Sequence, residues 1–229
     1  MAQSKSSDFY PDLTGIITER IILFFVEMNK YANFPLRVGL KYNRKMQKNT
    51  PDLQTPDLLL RAWKPEDTQA LFTILQEPGI LKYYPPTTFD LPKTNKYIDH
   101  QLNHWSKYGF GHWAVVLPEN GQLIGWNGLE FLSELEEVEI AYLLKKQFQG
   151  RGFATQIANA ALQFGFEVIG LPSIIGLVHP DNTPSIHVLH KCGFVFSEKI
   201  ALWGIYLDRY CITKETYHLK HGPIFTDVK

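Results

Sequence analysis

The stretch Gln147-Phe148-Gln149-Gly150-Arg151-Gly152-Phe153-Ala154-Thr155 lies between a predicted strand and a predicted long helix. The first turn of a helix presents backbone N–H groups that have no partner within the helix, at the positive end of the helix dipole. The two glycines allow unusual backbone angles and the close approach of a ligand. The stretch therefore predicts an anion site, and a pyrophosphate is the group that fits it best. A tight turn that binds nothing is the alternative.

Two other phosphate-binding loops are excluded. The P-loop pattern needs a Gly-Lys pair, and the chain has none. The dinucleotide pattern G-x-G-x-x-G fails after Gly150 and Gly152 because position 155 is Thr, and it fails after Gly109 and Gly111 because position 114 is Ala. The pattern [QR]-x-x-G-x-[GA], in contrast, is matched by Gln147, Gly150 and Gly152.

The elements on both sides of the stretch form a strand–helix–strand unit. The flanking strands are predicted over Val138–Leu144 and Ser173–Val178, and this order favours a parallel, right-handed pair. The helix begins near Gly152 and ends before Gly170. Its predicted buried face contains Phe153, Ile157, Ala160, Ala161, Phe164 and Val168, and its polar face contains Thr155, Asn159 and Gln163.

The remainder of residues 58–229 is also mixed α and β. Asn120-Gly121 between two apolar runs predicts a hairpin. Further strands are predicted at residues 58–63, 112–117, 123–130, 194–200 and 205–213, and helices at 65–76, 93–107 and 184–192. Residues 1–57 differ, with one apolar segment at 14–33 and a basic stretch at 41–48. We therefore divide the chain into an N-terminal extension, 1–57, and a domain, 58–229. The apolar segment is predicted to be a helix that docks on the domain or on a second subunit.

The composition narrows the function classes. Lys plus Arg equal Asp plus Glu at 23 each, which disfavours nucleic acid or anionic lipid as a partner. The most apolar run, residues 16–26, contains charges and is too short to span a membrane. Two cysteines, Cys192 and Cys211, are expected to be reduced core thiols in a cytoplasmic protein. His187 and His190 are expected to form a solvated face, and no metal is expected.

Two more motifs follow in order. Asn182-Thr183-Pro184-Ser185, with Lys191-Cys192-Gly193-Phe194, matches an N-x-x-S…K-x-G-F signature. Together with the glycine loop, it resembles the GCN5-related N-acetyltransferase (GNAT) family over residues 58 to about 217. Ile124–Leu129 and the run Glu139-Ile140-Ala141-Tyr142 are similar to the branch of ribosomal-protein N-terminal acetyltransferases.

The resemblance implies a fold and a reaction. The fold is α+β in three layers, with a strongly twisted mixed sheet of about seven strands flanked by helices. The reaction is transfer of acetyl from acetyl-coenzyme A to a primary amine of a peptide or small molecule, by direct attack in a ternary complex. A homodimer stays open. The residues implied to bind the co-substrate are Leu143, Leu144, Gln149, Gly150, Arg151, Gly152, Phe153, Ala154, Thr155, Asn182, Ser185 and Lys191.

Candidate catalytic residues follow from the same resemblance. Glu139 lies on the strand before the loop, where the family often places a glutamate, and is the predicted base. Glu130 is the reserve, and a solvated strand residue is the alternative for each. Many members use a tyrosine as acid seven residues after the motif asparagine, where this chain has Leu189, so Ser185 is the predicted acid.

The acceptor pocket and the rival functions depend on weaker signals. The side chains proposed to line the pocket are Tyr83, Tyr84, His104, Trp105 and Trp126. One rival function is a non-catalytic protein that binds acyl-coenzyme A as a regulator or scaffold. The other is an assembly protein whose residues 1–57 contact a partner.

Overall fold

The computed structural model describes residues 50–85 and 87–221, so the apolar segment 14–33 and the basic stretch 41–48 lie outside the described residues. Within these ranges the chain forms eight strands and five α-helices. The strands are β1 (Leu53–Gln54), β2 (Leu59–Arg61), β3 (His112–Val116), β4 (Leu123–Leu132), β5 (Glu137–Leu144), β6 (Ser173–Val178), β7 (Val195–Leu202) and β8 (Ile205–Thr213). The helices are α1 (Asp67–Leu75), α2 (Leu91–Tyr108), α3 (Phe153–Gln163), α4 (Thr183–Cys192) and α5 (Lys214–His221).

The eight strands form one mixed sheet in the order β1-β2-β3-β4-β5-β6-β8-β7. All neighbours are antiparallel except β5 and β6, which confirms the predicted parallel pair. This parallel pairing is confined to one position, Glu139 opposite Ile175. Beyond it, Ile140–Tyr142 and Gly176–Val178 line the same cavity. The middle of the sheet is therefore open at the point where β5 leads to the glycine loop.

The two faces of β5 lie in different cores, as its alternation predicts. Val138 and Ile140 pack with helices α3 and α4 on one side of the sheet. Leu143 belongs to a second cluster, which includes Leu71 of α1 and Ile98 of α2. Helices cover both faces of the sheet, so the apolar residues Val138, Ile140, Leu143 and Leu144 of β5 are buried.

The helix after the loop differs from its prediction in its last turns. It is α-helical only to Gln163 and continues as a π-helical segment, Phe164–Ile169, which ends at Gly170 with φ +78°. A π-turn holds more residues than an α-turn and therefore rotates the side chains that follow it. Val168, predicted to be buried, lies in this segment and is 39% exposed.

Two elements were not predicted from the sequence. Strand β1 has two residues, too few for any periodicity, and pairs with β2. It lies within the predicted extension, and the boundary at residue 57 stays a prediction. Helix α5 is mostly polar and follows β8 directly. Among the described residues, no helix combines the length and apolar character that crossing a membrane requires.

Candidate active site

A cavity of about 170 Å³ opens between β5, β6 and helix α4. Glu139 and Tyr142 of β5, Leu177 of β6, and Asn182 and Ser185 at the start of α4 line it. Both predicted catalytic residues, Glu139 and Ser185, therefore face one space although they lie far apart in the sequence. The volume is much larger than the roughly 15 Å³ that holds a single water.

Glu139 is half-buried, and its environment changes its acidity. Its Oε1 accepts a hydrogen bond from the Leu177 N–H at 3.3 Å. Burial, with the nearby charge of Glu130, raises the pKa of Glu139 to about 8. The hydrogen bond from Leu177 acts in the opposite direction but is the smallest of the three effects. A carboxyl group with this pKa exchanges a proton near neutral pH, as a general base must.

Glu130 also lines the cavity, but it is not a solvated strand residue and does not suit the role of a base. It is 4% exposed, and its Oε1 accepts a hydrogen bond from His100 Nε2 at 3.0 Å. Burial alone would raise the pKa of Glu130, but the hydrogen bond from His100 and the other nearby histidines lower it to about 2. Glu130 is therefore ionised at neutral pH. The two opposed glutamates differ in acidity because only Glu130 has histidine partners.

The start of α4 places the predicted acid at the cavity. Asn182 caps the helix, since its Oδ1 accepts from the Ser185 N–H at 3.4 Å, and Pro184 occupies the first turn. Leu189, at the usual position of the family's tyrosine, is 3% exposed and lines the cavity as an apolar wall. The Tyr142 hydroxyl donates to the Ser185 carbonyl at 3.3 Å. Sequence reasoning missed Tyr142 as a site residue, although it ends the quoted Glu139–Tyr142 run.

The glycine loop lies outside the lining of this cavity and has an open surface. Gly150 and Gly152 have φ values of +73° and +82°, and a Cβ on either would meet nothing within 4 Å. No side chain caps α3. The Thr155 N–H donates to the Gly152 carbonyl at 3.1 Å, so a guest would bond the N–H groups that precede it. Gln149 donates its side-chain N–H to the Leu144 carbonyl at 2.7 Å, and the Arg151 guanidinium lies 4.7 Å from the Phe153 ring centre.

The other predicted binding residues differ in how far they are buried. Leu143 and Leu144 have buried side chains, so only their main chain is available to a ligand. Phe153 is buried in the core under the loop, whereas Ala154 and Thr155 are half-buried in the first turn of α3. Lys191 is exposed at the end of α4, far along the helix from Ser185.

The predicted aromatic pocket is partly right. Tyr83, Tyr84 and Trp126 line the cavity. His104 and Trp105 do not, because both are packed inside the protein at 3% and 7% exposure. His104 Nδ1 bonds the Phe110 carbonyl at 2.7 Å, and Trp105 Nε1 donates to the His112 carbonyl at 3.1 Å. The side chains of His104 and Trp105 are instead directed by the packing of α2, which the sequence alone did not indicate.

Known proteins show the same domain. The family model for the acetyltransferase (GNAT) domain matches residues 57–195. A spermidine N(1)-acetyltransferase of Vibrio cholerae is 29% identical over 167 residues, covering 71% of this chain and 93% of that protein. An acetyltransferase structure from Agrobacterium tumefaciens superposes with a TM-score of 0.64 at 27% identity, over 73% of this chain and 96% of that one.

A fourth comparison extends the likeness in fold alone. A ribosomal L7/L12 alpha-N-protein acetyltransferase in complex with coenzyme A has a TM-score of 0.62 at 16% identity, covering 71% of this chain and 98% of that one. The open mixed sheet agrees with the predicted fold, although it has eight strands where about seven were expected. The family model covers more than half of the chain, and its residues include the glycine loop and most of the residues that line the cavity. This chain therefore belongs to the GNAT family, as an N-acetyltransferase that uses acetyl-coenzyme A as its co-substrate.

Proposed function

We propose that the chain transfers acetyl from acetyl-coenzyme A to the primary amine of a small molecule, by direct attack in a ternary complex with Glu139 as base. The observation that supports this most strongly is the position of Glu139 in the cavity with a pKa raised to about 8. An alkyl ammonium with an ordinary pKa of ~10.4 then differs from the base by only roughly 3 kcal/mol. A glutamate of ordinary pKa would face a gap of roughly 8 kcal/mol.

A small amine is favoured over a protein N-terminus for two reasons. One relative with a named substrate, which covers 71% of this chain, is a spermidine N(1)-acetyltransferase, which acts on a small amine. The cavity is also small, about 170 Å³, and Tyr83–Pro85 and Trp203 are among the residues that line it. The direct test is release of free thiol from acetyl-coenzyme A with a panel of small amines and N-terminal peptides. Peptides as the better acceptors would overturn this choice.

The glycine loop is proposed to bind the coenzyme A diphosphate through its main-chain N–H groups. Its positive φ values, its open surface and the uncapped start of α3 support this assignment. The proposed set is the one implied by the sequence: the backbone of Leu143 and Leu144, the loop 149–155, and Asn182, Ser185 and Lys191 of the following helix.

Substitution of Gly152 tests the loop. The Gly152→Ala variant places a methyl group where the diphosphate would lie, and we expect coenzyme A to bind roughly 10-fold more weakly, the effect of losing about one net hydrogen bond. Gly170→Ala is the matched control, since Gly170 has a similar φ of +78° and equally open space but ends the π-helical segment. Calorimetry measures both affinities. Equal losses in the two variants would show backbone strain instead of ligand contact.

Ser185 is proposed as the acid that protonates the departing thiolate, with Tyr142 as a positioning residue. The hydrogen bond from Tyr142 to the Ser185 carbonyl fixes the first turn of α4. Burial raises the pKa of the Tyr142 phenol, so it stays a hydrogen-bond donor throughout the neutral range. Because a thiol has an ordinary pKa of ~8.5, its protonation contributes little and a weak acid suffices.

The order of two variants tests these roles. We expect Ser185→Ala to lower kcat by roughly 10-fold, below the usual range for general acids because the leaving group is itself acidic. Tyr142→Phe should lower kcat less and leave the KM for acetyl-coenzyme A unchanged. Steady-state kinetics at saturating acetyl-coenzyme A measures both. A larger kcat loss in Tyr142→Phe than in Ser185→Ala would make the phenol itself the acid.

A further inference from the structure

The cavity wall contains a buried polar pair, Glu130 and His112, besides the proposed base. Glu130 of β4 and His112 of β3 are 4% and 2% exposed, and both line the cavity. His112 Nε2 lies 3.4 Å from Glu130 Oε2 and has no hydrogen-bond partner among the described residues. Buried polar atoms in folded proteins are nearly always hydrogen-bonded to protein, water or ligand. An unpartnered nitrogen beside a carboxylate on a cavity wall therefore indicates a place for a polar ligand group.

The charge of this wall is negative. The groups that face Glu130 are His100 and His104 of α2, His112 of β3 and Glu139 of β5. Burial lowers the pKa of His104 and His112 to about 4, so both are neutral at pH 7 and leave the Glu130 charge in place. Within the described ranges, no lysine or arginine lines the cavity. A cationic guest would therefore find a buried carboxylate that accepts a hydrogen bond from His100 and has two neutral histidines beside it.

An ammonium group fits this wall better than a hydroxyl group. An ammonium has three donors, so it can bond Glu130 Oε2 and also His112 Nε2 when that nitrogen carries no proton. The Tyr97 hydroxyl lies 2.8 Å from His112 Nδ1. By accepting a hydrogen bond from Nδ1–H, it can hold the His112 tautomer whose Nε2 carries no proton. Trp126 stacks on the His112 ring at 4.6 Å and adds an aromatic surface that attracts cations. A hydroxyl group would make one such bond and leave the charge uncompensated.

Glu130 lies directly beside the proposed base, Glu139. Glu130 and Glu139 are register partners on the adjacent antiparallel strands β4 and β5. Side chains directly opposite each other have Cβ atoms about 4.5–5.5 Å apart and project from the same face of the sheet. A molecule whose reacting amine is at Glu139 can therefore reach Glu130 with a second nitrogen through a short alkyl chain.

We infer that the acceptor is a short-chain diamine, or a longer amine that ends in such a unit, whose second ammonium binds Glu130 and His112 while the first is deprotonated by Glu139. This inference rests on the proposed function, because it names the substrate of the same site. Glu130 is then the residue that determines specificity, and it takes no part in the proton transfer.

Matched amines test the inference. The panel is 1,3-diaminopropane, 1,4-diaminobutane and 1,5-diaminopentane, each compared with the monoamine of the same length, plus 3-amino-1-propanol. We expect kcat/KM for the best diamine to exceed that of its monoamine by roughly 10- to 100-fold, the range for a hydrogen bond to a charged group. A diamine that is no better than its monoamine overturns the inference. Equal turnover of 3-amino-1-propanol and 1,3-diaminopropane also overturns it, because the guest would then be a hydroxyl.

Glu130→Gln is the decisive variant, and the quantity to compare is the diamine-to-monoamine ratio within each protein. Because both amines are acetylated by the same steps, a change that affects those steps equally, such as a change in the acidity of Glu139, cancels in the ratio. We expect it to fall close to 1 in Glu130→Gln and to stay at the wild-type value in Glu119→Gln, which removes a carboxylate from the exposed β3–β4 turn. An unchanged ratio in a folded Glu130→Gln protein refutes the subsite.

Direct binding separates this inference from the proposed function. Calorimetry of 1,4-diaminobutane with wild-type, Glu130→Gln and Glu119→Gln proteins needs no turnover. Binding that is lost only in Glu130→Gln supports the subsite even if no amine in the panel is acetylated, and the proposed function then fails alone. Turnover of amines without any dependence on Glu130 gives the opposite result, in which the proposed function stands and the diamine subsite fails.

Discussion

Replacing Glu139 by glutamine is expected to lower kcat/KM for amine acetylation by roughly 10²- to 10⁴-fold, the usual contribution of a general base. Glutamine keeps the size of the side chain but cannot accept the amine proton. In the wild type, activity should rise with pH as the carboxyl group ionises, with an apparent pKa of about 8. This limb of the pH profile should be absent in Glu139→Gln. Steady-state kinetics between pH 6 and pH 9.5 measures both effects.

The control for this variant is Glu137→Gln. Glu137 lies two residues earlier on the same strand and the same face, but it pairs with Arg209 and does not line the cavity. Its loss should leave the position of the pH limb unchanged. A Glu139→Gln protein that keeps both wild-type turnover and the pH limb would show that another group, or bulk water, accepts the proton.

The same variant has a second readout in stability. The pKa of Glu139 is raised in the folded state, so between its ordinary value of 4.5 and about 8 the native protein holds a proton that the unfolded chain releases. Folding stability attributable to Glu139 therefore falls as pH rises through this window. Glu139→Gln should melt at a higher temperature than the wild type at pH 9, and the difference should shrink towards pH 5. A difference in melting temperature that stays constant with pH would mean that the pKa of Glu139 is not raised in the folded protein.

Replacing Gly128 by alanine is expected to destabilise the fold by more than about 3 kcal/mol, at or beyond the upper end of ordinary overpacking. A Cβ at position 128 would lie 2.2 Å from the Gly111 carbonyl oxygen and 2.5 Å from the His112 Cα. Both are main-chain atoms of the neighbouring chain segment and cannot move aside as a side chain can. For a domain of this size the melting temperature should fall by roughly 6–12 °C. Thermal unfolding followed by circular dichroism measures it.

Gly165→Ala provides the contrast. A Cβ there would meet the ends of the Leu129, Ile174 and Leu171 side chains at 2.8, 2.9 and 3.3 Å, and these can shift by rotation. We expect a loss of about 1 kcal/mol or less, because alanine also favours the helix over glycine. If the two variants lose equal stability, the close main-chain contact at Gly128 is not the cause. A milder effect at Gly128 would also mean that β3 and β4 can separate there, and His112 would then not be held beside Glu130.

The glycine loop and the N-x-x-S motif were predictable because their chemistry is local. A left-handed glycine before a helix, an asparagine cap and a proline in the first turn act within a few residues of one another. Gly152, Asn182 and Pro184 take these positions in the structure. The strand order around the loop followed from the same local signals. The exposed Val168 did not, because it lies in a π-helical segment, which the α-helical period of the sequence does not indicate.

Glu130 and Glu139 show what the sequence alone could not indicate, which is the acidity of each carboxyl group. By itself, the sequence determined the family, the glycine loop, the parallel strand pair beside it and the carboxylate on β5, because each depends on residue type and spacing along one segment. Only the tertiary structure decided that Glu130 is an anion bonded by His100 and that the pKa of Glu139 is raised, since both pKa values are set by burial and by neighbours from other strands and helices. The same holds for the unpartnered nitrogen of His112: its position depends on the contact at Gly128 between β3 and β4, and no pattern along a single chain segment records which side chains meet across a sheet.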